Sequence, residues 1–426
     1  MRRRFLIRTA LVDVAAAGLS AFAASFILFQ ALPWVTAPNR GSLLPVAIFW
    51  VVGAFLGTLI ATSMWSKAPS RPTYGRGFLI AVLGSLSVAV QLVLFRPYFS
   101  RPHLLVTALV WLTILMAYRG VNRRRPWTDR LFVVSDEVGL IAHLRTAPHV
   151  DLVGVVPPGY DGELAPLESG TVLVVDLSGV QSDRMARFVS SSSIAGRVIR
   201  PFNEVYEEHT GRIPLVHLSE GWEIEATLSR TLPLLPFKHL LDAVLVVVFA
   251  PLWGLIVGVA ALAVLVRDGR PVFFRQERVG RGGKPVTLVK IRTMDPDAEV
   301  NGAQQADEDD PRITPLGRRL RSLRIDELPQ LWNVVRGELS IVGPRPEQVD
   351  FVRAYSESIP FYDQRHLVRP GITGWAQVNA GYAASERETI EKLSYDFYYL
   401  KRMSPLLDLE VMARSIWTIV SRDKSR

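Results

Sequence analysis

The chain predicts an α-helical membrane region followed by α/β domains, and three observations carry that expectation. Of its 426 residues 49% are apolar and mean hydropathy is positive, which is high for a soluble protein. Four segments in the N-terminal third reach or approach the roughly 20 apolar residues that span a bilayer. Beyond Arg125 the pattern changes to short valine-rich runs, which read as strands.

The four segments are residues 5–32, 43–64, 78–95 and 104–118, the last two short enough to be tilted or less deeply packed. Arg2, Arg3 and Arg4 precede the first, Lys67, Arg71 and Arg76 separate the second and third, and Arg119, Arg123, Arg124 and Arg125 follow the fourth. Only Arg40, then Arg96 and Arg101, occupy the other two loops. By the positive-inside rule this is two hairpins with both ends cytoplasmic. The first segment is longer than the apolar part of a signal peptide and holds Asp13, so cleavage is not expected. Residues 1–125 are therefore read as a four-helix transmembrane region.

Residues 126–210 read as a degenerate Rossmann-like α/β domain. Three apolar runs, 131–134, 152–156 and 171–176, predict a small parallel sheet. A dinucleotide site needs a glycine-rich turn after its first strand. Here that turn is Ser135-Asp136-Glu137-Val138-Gly139, with one glycine and two acids, so a structural or regulatory module is expected in preference to nucleotide binding. Residues 211–236 read as a connector.

Residues 237–426 form the last predicted domain. It opens with residues 240–266, almost wholly apolar and interrupted by Pro251. Arg230 and Lys238 precede this segment and Arg267, Arg270 and Arg275 follow it, so both ends favour the cytoplasm. Proline lacks an amide hydrogen and kinks a helix. The segment is read as a re-entrant hairpin broken at Pro251, with a proline-kinked spanning helix as the alternative. Alternation over 271–294 around Gly280, Gly282 and Gly283 predicts a β-hairpin, 301–310 an acidic loop, 328–335 a short helix stopped by Gly337, and 340–342 a brief strand. Residues 386–420 carry amphipathic helical patterns whose Tyr395, Phe397, Tyr398, Tyr399 and Trp417 suit either a membrane interface or the domain core.

The net charge of +9 suits anionic headgroups or phosphorylated substrates. No nucleic-acid module accompanies it, so nucleic acid is not an expected partner. The absence of cysteine excludes disulfides, thiolate zinc sites and a cysteine nucleophile, and the seven histidines are scattered.

Chemistry concentrates at Arg324-Ile325-Asp326-Glu327-Leu328-Pro329-Gln330, preceded by Arg318, Arg319 and Arg321. Asp326 could simply cap the following helix, with Glu327 in its first turn. Alternatively, one carboxylate attacks phosphorus while its neighbour holds a divalent cation. Phosphoryl transfer rests on positioning and charge stabilisation, so basic partners are expected; Lys290, Arg292, Arg321 and Arg345 are the candidates.

Seven ordered motifs join these residues. They are Phe274-Arg275-Gln276-Glu277-Arg278-Val279-Gly280, Lys290-Ile291-Arg292-Thr293-Met294, Asp310-Pro311-Arg312-Ile313-Thr314, Asp326-Glu327-Leu328-Pro329-Gln330-Leu331, Asn333-Val334, Ser340-Ile341-Val342-Gly343-Pro344-Arg345-Pro346, and Pro370-Gly371-Ile372-Thr373-Gly374-Trp375-Ala376-Gln377-Val378. From Pro236 onward the chain resembles the bacterial sugar transferase family, and specifically its polyprenyl-phosphate hexose-1-phosphate transferases, large monotopic phosphoglycosyl transferases. The resemblance implies a monotopic α/β catalytic domain on the cytoplasmic face of the bacterial inner membrane. It implies transfer of a sugar 1-phosphate from a UDP-sugar to undecaprenyl phosphate, with release of UMP, at the start of exopolysaccharide or O-antigen repeat-unit synthesis. Asp326 would be the nucleophile of a covalent phosphosugar intermediate, Glu327 the Mg²⁺ ligand, and Lys290, Arg292, Arg321 and Arg345 phosphate binders. Membrane lipid is an implied partner, and a homodimer is allowed.

Three departures from the family pattern stand out. Ala250-Pro251 lacks the usual serine hydroxyl that could satisfy a freed carbonyl, Lys238-His239 replaces a lysine–arginine pair, and Arg324-Ile325 replaces Ser-Leu before the acids. Two competing readings remain: a non-catalytic membrane scaffold or regulator of polysaccharide assembly, and direct glycosyl transfer, which would release UDP. The sequence leaves the hexose and the polysaccharide open.

Overall fold

A computed structural model describes residues 2–36, 41–63, 74–124, 128–147, 149–177, 179–215, 235–295, 298, 310–380 and 386–421. The chain divides into two compact units, Met1–Gly211 and Arg212–Arg426. Most of the predicted connector and nearly all of the acidic stretch 301–310 lie outside the described residues.

The first unit begins with helices α1 (Arg2–Phe29), α2 (Leu44–Ser63), α3 (Tyr74–Phe95) and α4 (Arg101–Arg124). All four are long and apolar enough to cross a membrane. The two segments expected to be short span 22 and 24 residues, because polar ends such as Tyr74–Gly77 and Arg119–Arg124 continue the helix beyond its apolar stretch. Small residues set the packing. A Cβ on Gly53 of α2 would stand 2.6 Å from the Gly84 carbonyl of α3, so glycine lets these backbones meet, as small residues do in membrane bundles. Trp50 and Trp111 cross edge to face at 5.7 Å in the core. Leu11, Leu19, Phe26, Phe55, Leu59 and Val93 remain exposed, an apolar outer face suited to lipid.

A buried ion pair closes this bundle. Arg119 of α4 donates Nη1 and Nη2 to Asp13 of α1 at 2.9 and 2.8 Å. The Trp111 indole donates to the Asp13 carbonyl at 3.0 Å. The Asp13 that argued against a signal peptide thus has a fork-shaped partner.

The rest of the unit is a parallel sheet ordered β2-β1-β3-β4, from β1 (Asp129–Val134), β2 (Val150–Val156), β3 (Val172–Val175) and β4 (Ile199–Pro201). Helices α5 (Val138–Thr146), α6 (Asp183–Ile194) and α7 (Phe202–Thr210) cover it. Alternation along the strands supplies two cores. Leu131, Val133 and Val174 pack with α5 and α7 on one face, while Val134, Leu173 and Val175 meet Met185 of α6 on the other. In the turn after β1, Ser135 Oγ donates to Asp176 at 2.9 Å and accepts from the Glu137 amide at 3.2 Å.

The second unit begins with α8 (Leu235–Val248) and α9 (Ala250–Arg267), separated at Phe249 with Pro251 in the first turn of α9. The Trp253 indole reaches back across the break to donate to the Val246 carbonyl at 2.9 Å. An indole therefore serves a carbonyl at a break that lacks the usual hydroxyl. Leu240, Val244, Val247, Val248, Leu252, Leu255, Val259 and Leu262 are exposed, so most of the surface of this helix pair is apolar and uncovered by protein.

The base of α8 is tied down by charge. Lys238 Nζ lies 3.3 Å from Asp242 and 2.9 Å from Asp408, and Ser340 Oγ donates to Asp242 at 2.5 Å. Beyond α9, β5 (Phe273–Val279) and β6 (Pro285–Ile291) form the expected antiparallel hairpin. There follow α10 (Pro315–Ser322), a 3-10 turn at Ile325–Gln330, α11 (Leu331–Val335), β7 (Ser340–Val342), α12 (Val349–Ser358), a second 3-10 turn at Tyr362–Leu367, β8 (Gly371–Thr373), α13 (Trp375–Asn379), α14 (Glu386–Arg402) and α15 (Pro405–Ser421). The parallel pair β7–β8 brings two glycine-containing motifs together: a Cβ on Gly371 would collide with the backbone of Gly343. Tyr395, Phe397 and Tyr399 of α14 belong to the main core, whereas Trp417 is exposed.

Candidate active site

The acids sit on the 3-10 turn Ile325–Gln330, which packs against β6, α9, α10 and α11. Thr314 starts α10 by accepting from the Gly317 amide at 2.9 Å, and α10 delivers the chain to Arg324. There the backbone turns left-handed, with φ 56° and ψ 21°. Such a conformation is strained for a residue with a Cβ and is found at functional sites. Arg324 occupies the cap position of this turn and Gln330 that of α11, with Asp326 inside the turn, so Asp326 does not stand at a helix-cap position. Gly337, with φ 77°, lies just beyond α11, as expected.

Asp326 and Glu327 are each 7% exposed but differ in their surroundings. Glu327 faces three cations: Arg345 Nη2 and Arg324 Nη1 at 3.3 Å, and Lys290 Nζ at 3.8 Å. Burial pushes its pKa up, but Arg345, Lys290 and Arg324 outweigh that and hold it down at about 2. Asp326 Oδ1 is buried and has no hydrogen-bond partner among the described residues. Burial and the Glu327 charge raise its pKa above the usual carboxylate range, against the opposing pull of Lys290, Arg321 and Arg324. Burial, aided by Arg345 and Arg278, lowers Lys290 to about 8 although Glu327 and Asp326 favour its charged form. Adjacent carboxylates are thus pushed in opposite directions, an arrangement that separates chemical roles.

Of the four basic residues singled out in the sequence, Lys290 and Arg345 converge on Glu327. Arg321 acts on Asp326 through its charge, and its Nη2 lies 3.8 Å from Met294 Sδ. Arg292 turns elsewhere. Its Nη2 donates to the carbonyls of Asp268 and Gly269, just after α9, at 2.5 and 3.1 Å, leaving Nε and Nη1 without a partner among the described residues. Arg324, outside the set of four, is a direct partner of Glu327; its spacing of three residues was the available signal.

The model of the bacterial sugar transferase family matches residues 234–422, covering both acids and all four basic residues. A UDP-glucose:undecaprenyl-phosphate glucose-1-phosphate transferase of Caulobacter vibrioides is 37% identical over 190 residues, 44% of this chain and 71% of that protein. The chain belongs to the bacterial sugar transferase family. Another relative, a UDP-N-acetylgalactosamine-undecaprenyl-phosphate N-acetylgalactosaminephosphotransferase of Aeromonas hydrophila, is 38% identical over 263 residues, 62% of this chain and 59% of its own length. A glucose-1-phosphate transferase of Xanthomonas campestris is 39% identical over 209 residues, 48% of this chain and 42% of that protein. The chain therefore spans about half the length of these last two bacterial sugar transferases.

Proposed function

We propose that the protein transfers a sugar 1-phosphate from a UDP-sugar to undecaprenyl phosphate through a covalent aspartyl intermediate, on the cytoplasmic face of the bacterial inner membrane. The observation that carries this reading is the contrast between the two acids. Glu327 is held ionised by three cations, while Asp326 presents an unpartnered oxygen.

In the first step an ionised Asp326 oxygen attacks the sugar-bearing phosphorus. The bond from that phosphorus to the bridging oxygen breaks, and UMP leaves with the electron pair. In the second step an oxygen of undecaprenyl phosphate attacks the same phosphorus and releases the Asp326 carboxylate, giving an undecaprenyl diphosphate sugar. Lys290 and Arg345 supply positive charge where the phosphoryl oxygens gather it. The donor set suits Mg²⁺, which takes one or two carboxylates and completes its shell with phosphate oxygens and water. Glu327 would hold that ion, which when bound would neutralise charge on the donor diphosphate. The exposed apolar pair α8–α9, broken at Pro251, supports a re-entrant anchor that keeps the acids near headgroup depth.

The test is nucleotide release from purified protein given undecaprenyl phosphate, Mg²⁺ and a panel of UDP-sugars. One donor is expected to yield UMP, with loss on chelation. Asp326→Asn is expected to lower the rate at least ~10³-fold, the scale of losing a nucleophile. Release of UDP, or wild-type turnover by the variant, would remove the covalent mechanism.

A further inference from the structure

Arg345 is held from behind by a buried side-chain pair outside the acid site. It lies between Pro344 and Pro346, and a residue preceding proline is confined to extended backbone. Its carbonyl accepts from Arg365 Nη2 at 3.0 Å. The same guanidinium donates Nε and Nη2 to Asp396 Oδ2 at 3.2 and 2.8 Å, and Nη1 to the Tyr362 hydroxyl at 2.7 Å. Arg365 is 6% exposed and Asp396 2%. The 3-10 turn presenting Arg365 follows Phe361, whose φ of 62° is left-handed, a second strained residue like Arg324.

We propose that Arg365 is a positioning residue for the transfer reaction. It fixes the Arg345 carbonyl, and so the backbone from which the Arg345 guanidinium reaches Glu327 and the donor phosphate; Asp396 fixes Arg365 in turn. A fold-stabilising pair alone would not require this geometry, since buried ion pairs can often be replaced by apolar residues without loss of stability. Here one donor of the pair is spent on the main chain of a residue in the acid site. The task suits a planar fork, whose donors reach a carboxylate, a phenol and a carbonyl together. A lysine keeps the charge but not that spread.

The inference rests on the proposed reaction, and a double-mutant cycle tests it. Arg365→Lys is expected to lower kcat/KM for the UDP-sugar about 10–10²-fold, the scale of a slightly misplaced catalytic group. In an Arg345→Ala background the same change should cost almost nothing further. Equal losses in both backgrounds would show a merely structural role and overturn the proposal. If Arg365→Lys fails to fold, Asp396→Asn, which keeps an acceptor oxygen, enters the same cycle with the same two outcomes. A second readout does not depend on turnover. The chain has no cysteine, so Arg345→Cys places a single nitroxide on this loop. Its spectrum should show greater mobility once Arg365→Lys is added; unchanged mobility overturns the proposal even if no donor supports UMP release. An inactive wild-type protein would count against the reaction, whereas an immobile label or additive losses would count against the positioning role.

Discussion

At the scale of single residues, Asp326 and Glu327 should respond to neutralisation with opposite signs. Glu327 is depressed to about 2, so its ionisation contributes stability that is full near neutral pH and lost progressively as pH falls from the ordinary carboxylate range through that value. Glu327→Gln removes the carboxylate that Lys290, Arg324 and Arg345 share; with Arg324 and Arg345 partly in solvent, it should cost ~1–3 kcal/mol, the range for losing a buried hydrogen-bonding partner. Asp326 is raised, so its ionisation opposes folding once pH exceeds its elevated pKa. Asp326→Asn should therefore leave thermal stability unchanged or higher at pH 8 while abolishing UMP release. A melting curve of each variant in detergent decides the point: if both lower Tm alike, the contrast between the acids is wrong. The same groups set the pH profile. Activity should rise as Asp326 ionises and decline as Lys290 loses its proton near 8 in the free enzyme. Lys290→Arg should move the alkaline limb upward, and a limb that stays in place would free Lys290 of that role.

At the scale of elements, the helix pair α8–α9 makes the most exacting prediction. If it is re-entrant, cysteines introduced at Phe237, in the first turn of α8, and at Lys284, beyond α9, both exposed positions, will react with a membrane-impermeant maleimide from the same side in oriented vesicles. Labelling from opposite sides would make α9 a spanning helix. Trp253→Phe removes the donor to the Val246 carbonyl and should cost ~1 kcal/mol, the net value of one hydrogen bond. Long apolar runs and the β5–β6 hairpin were legible because many residues repeat the pattern. Strands β4 and β8 were not, since Ile199-Arg200-Pro201 and Gly371-Ile372-Thr373 are too short to establish an alternation. Arg292 illustrates a related limit. Strand alternation would place it on the Lys290 face, but β6 ends at Ile291, which frees Arg292 to turn towards the end of α9. The acids and Lys290 were legible from motifs, whereas the support of Arg345 by Arg365 needs a fold that brings together residues 20 apart in sequence.

At the scale of the whole molecule, chemistry and the proposed anchor reside together in Arg212–Arg426. The unit expressed alone should stay in the membrane fraction after carbonate washing and release UMP; a soluble or inactive product would assign an essential role to the N-terminal unit. That unit carries its own requirement in the Asp13–Arg119 pair, whose members lie 106 residues apart. During synthesis Asp13 enters the bilayer long before Arg119 exists. At ~5–20 residues per second the interval is roughly 5–20 s, and an unpaired carboxylate costs up to ~3 kcal/mol at the centre of a span. The first helix is thus inserted on provisional terms until the fourth emerges. A chain carrying Arg119→Leu should be removed by membrane quality control, with a shortened cellular half-life in a pulse-chase experiment.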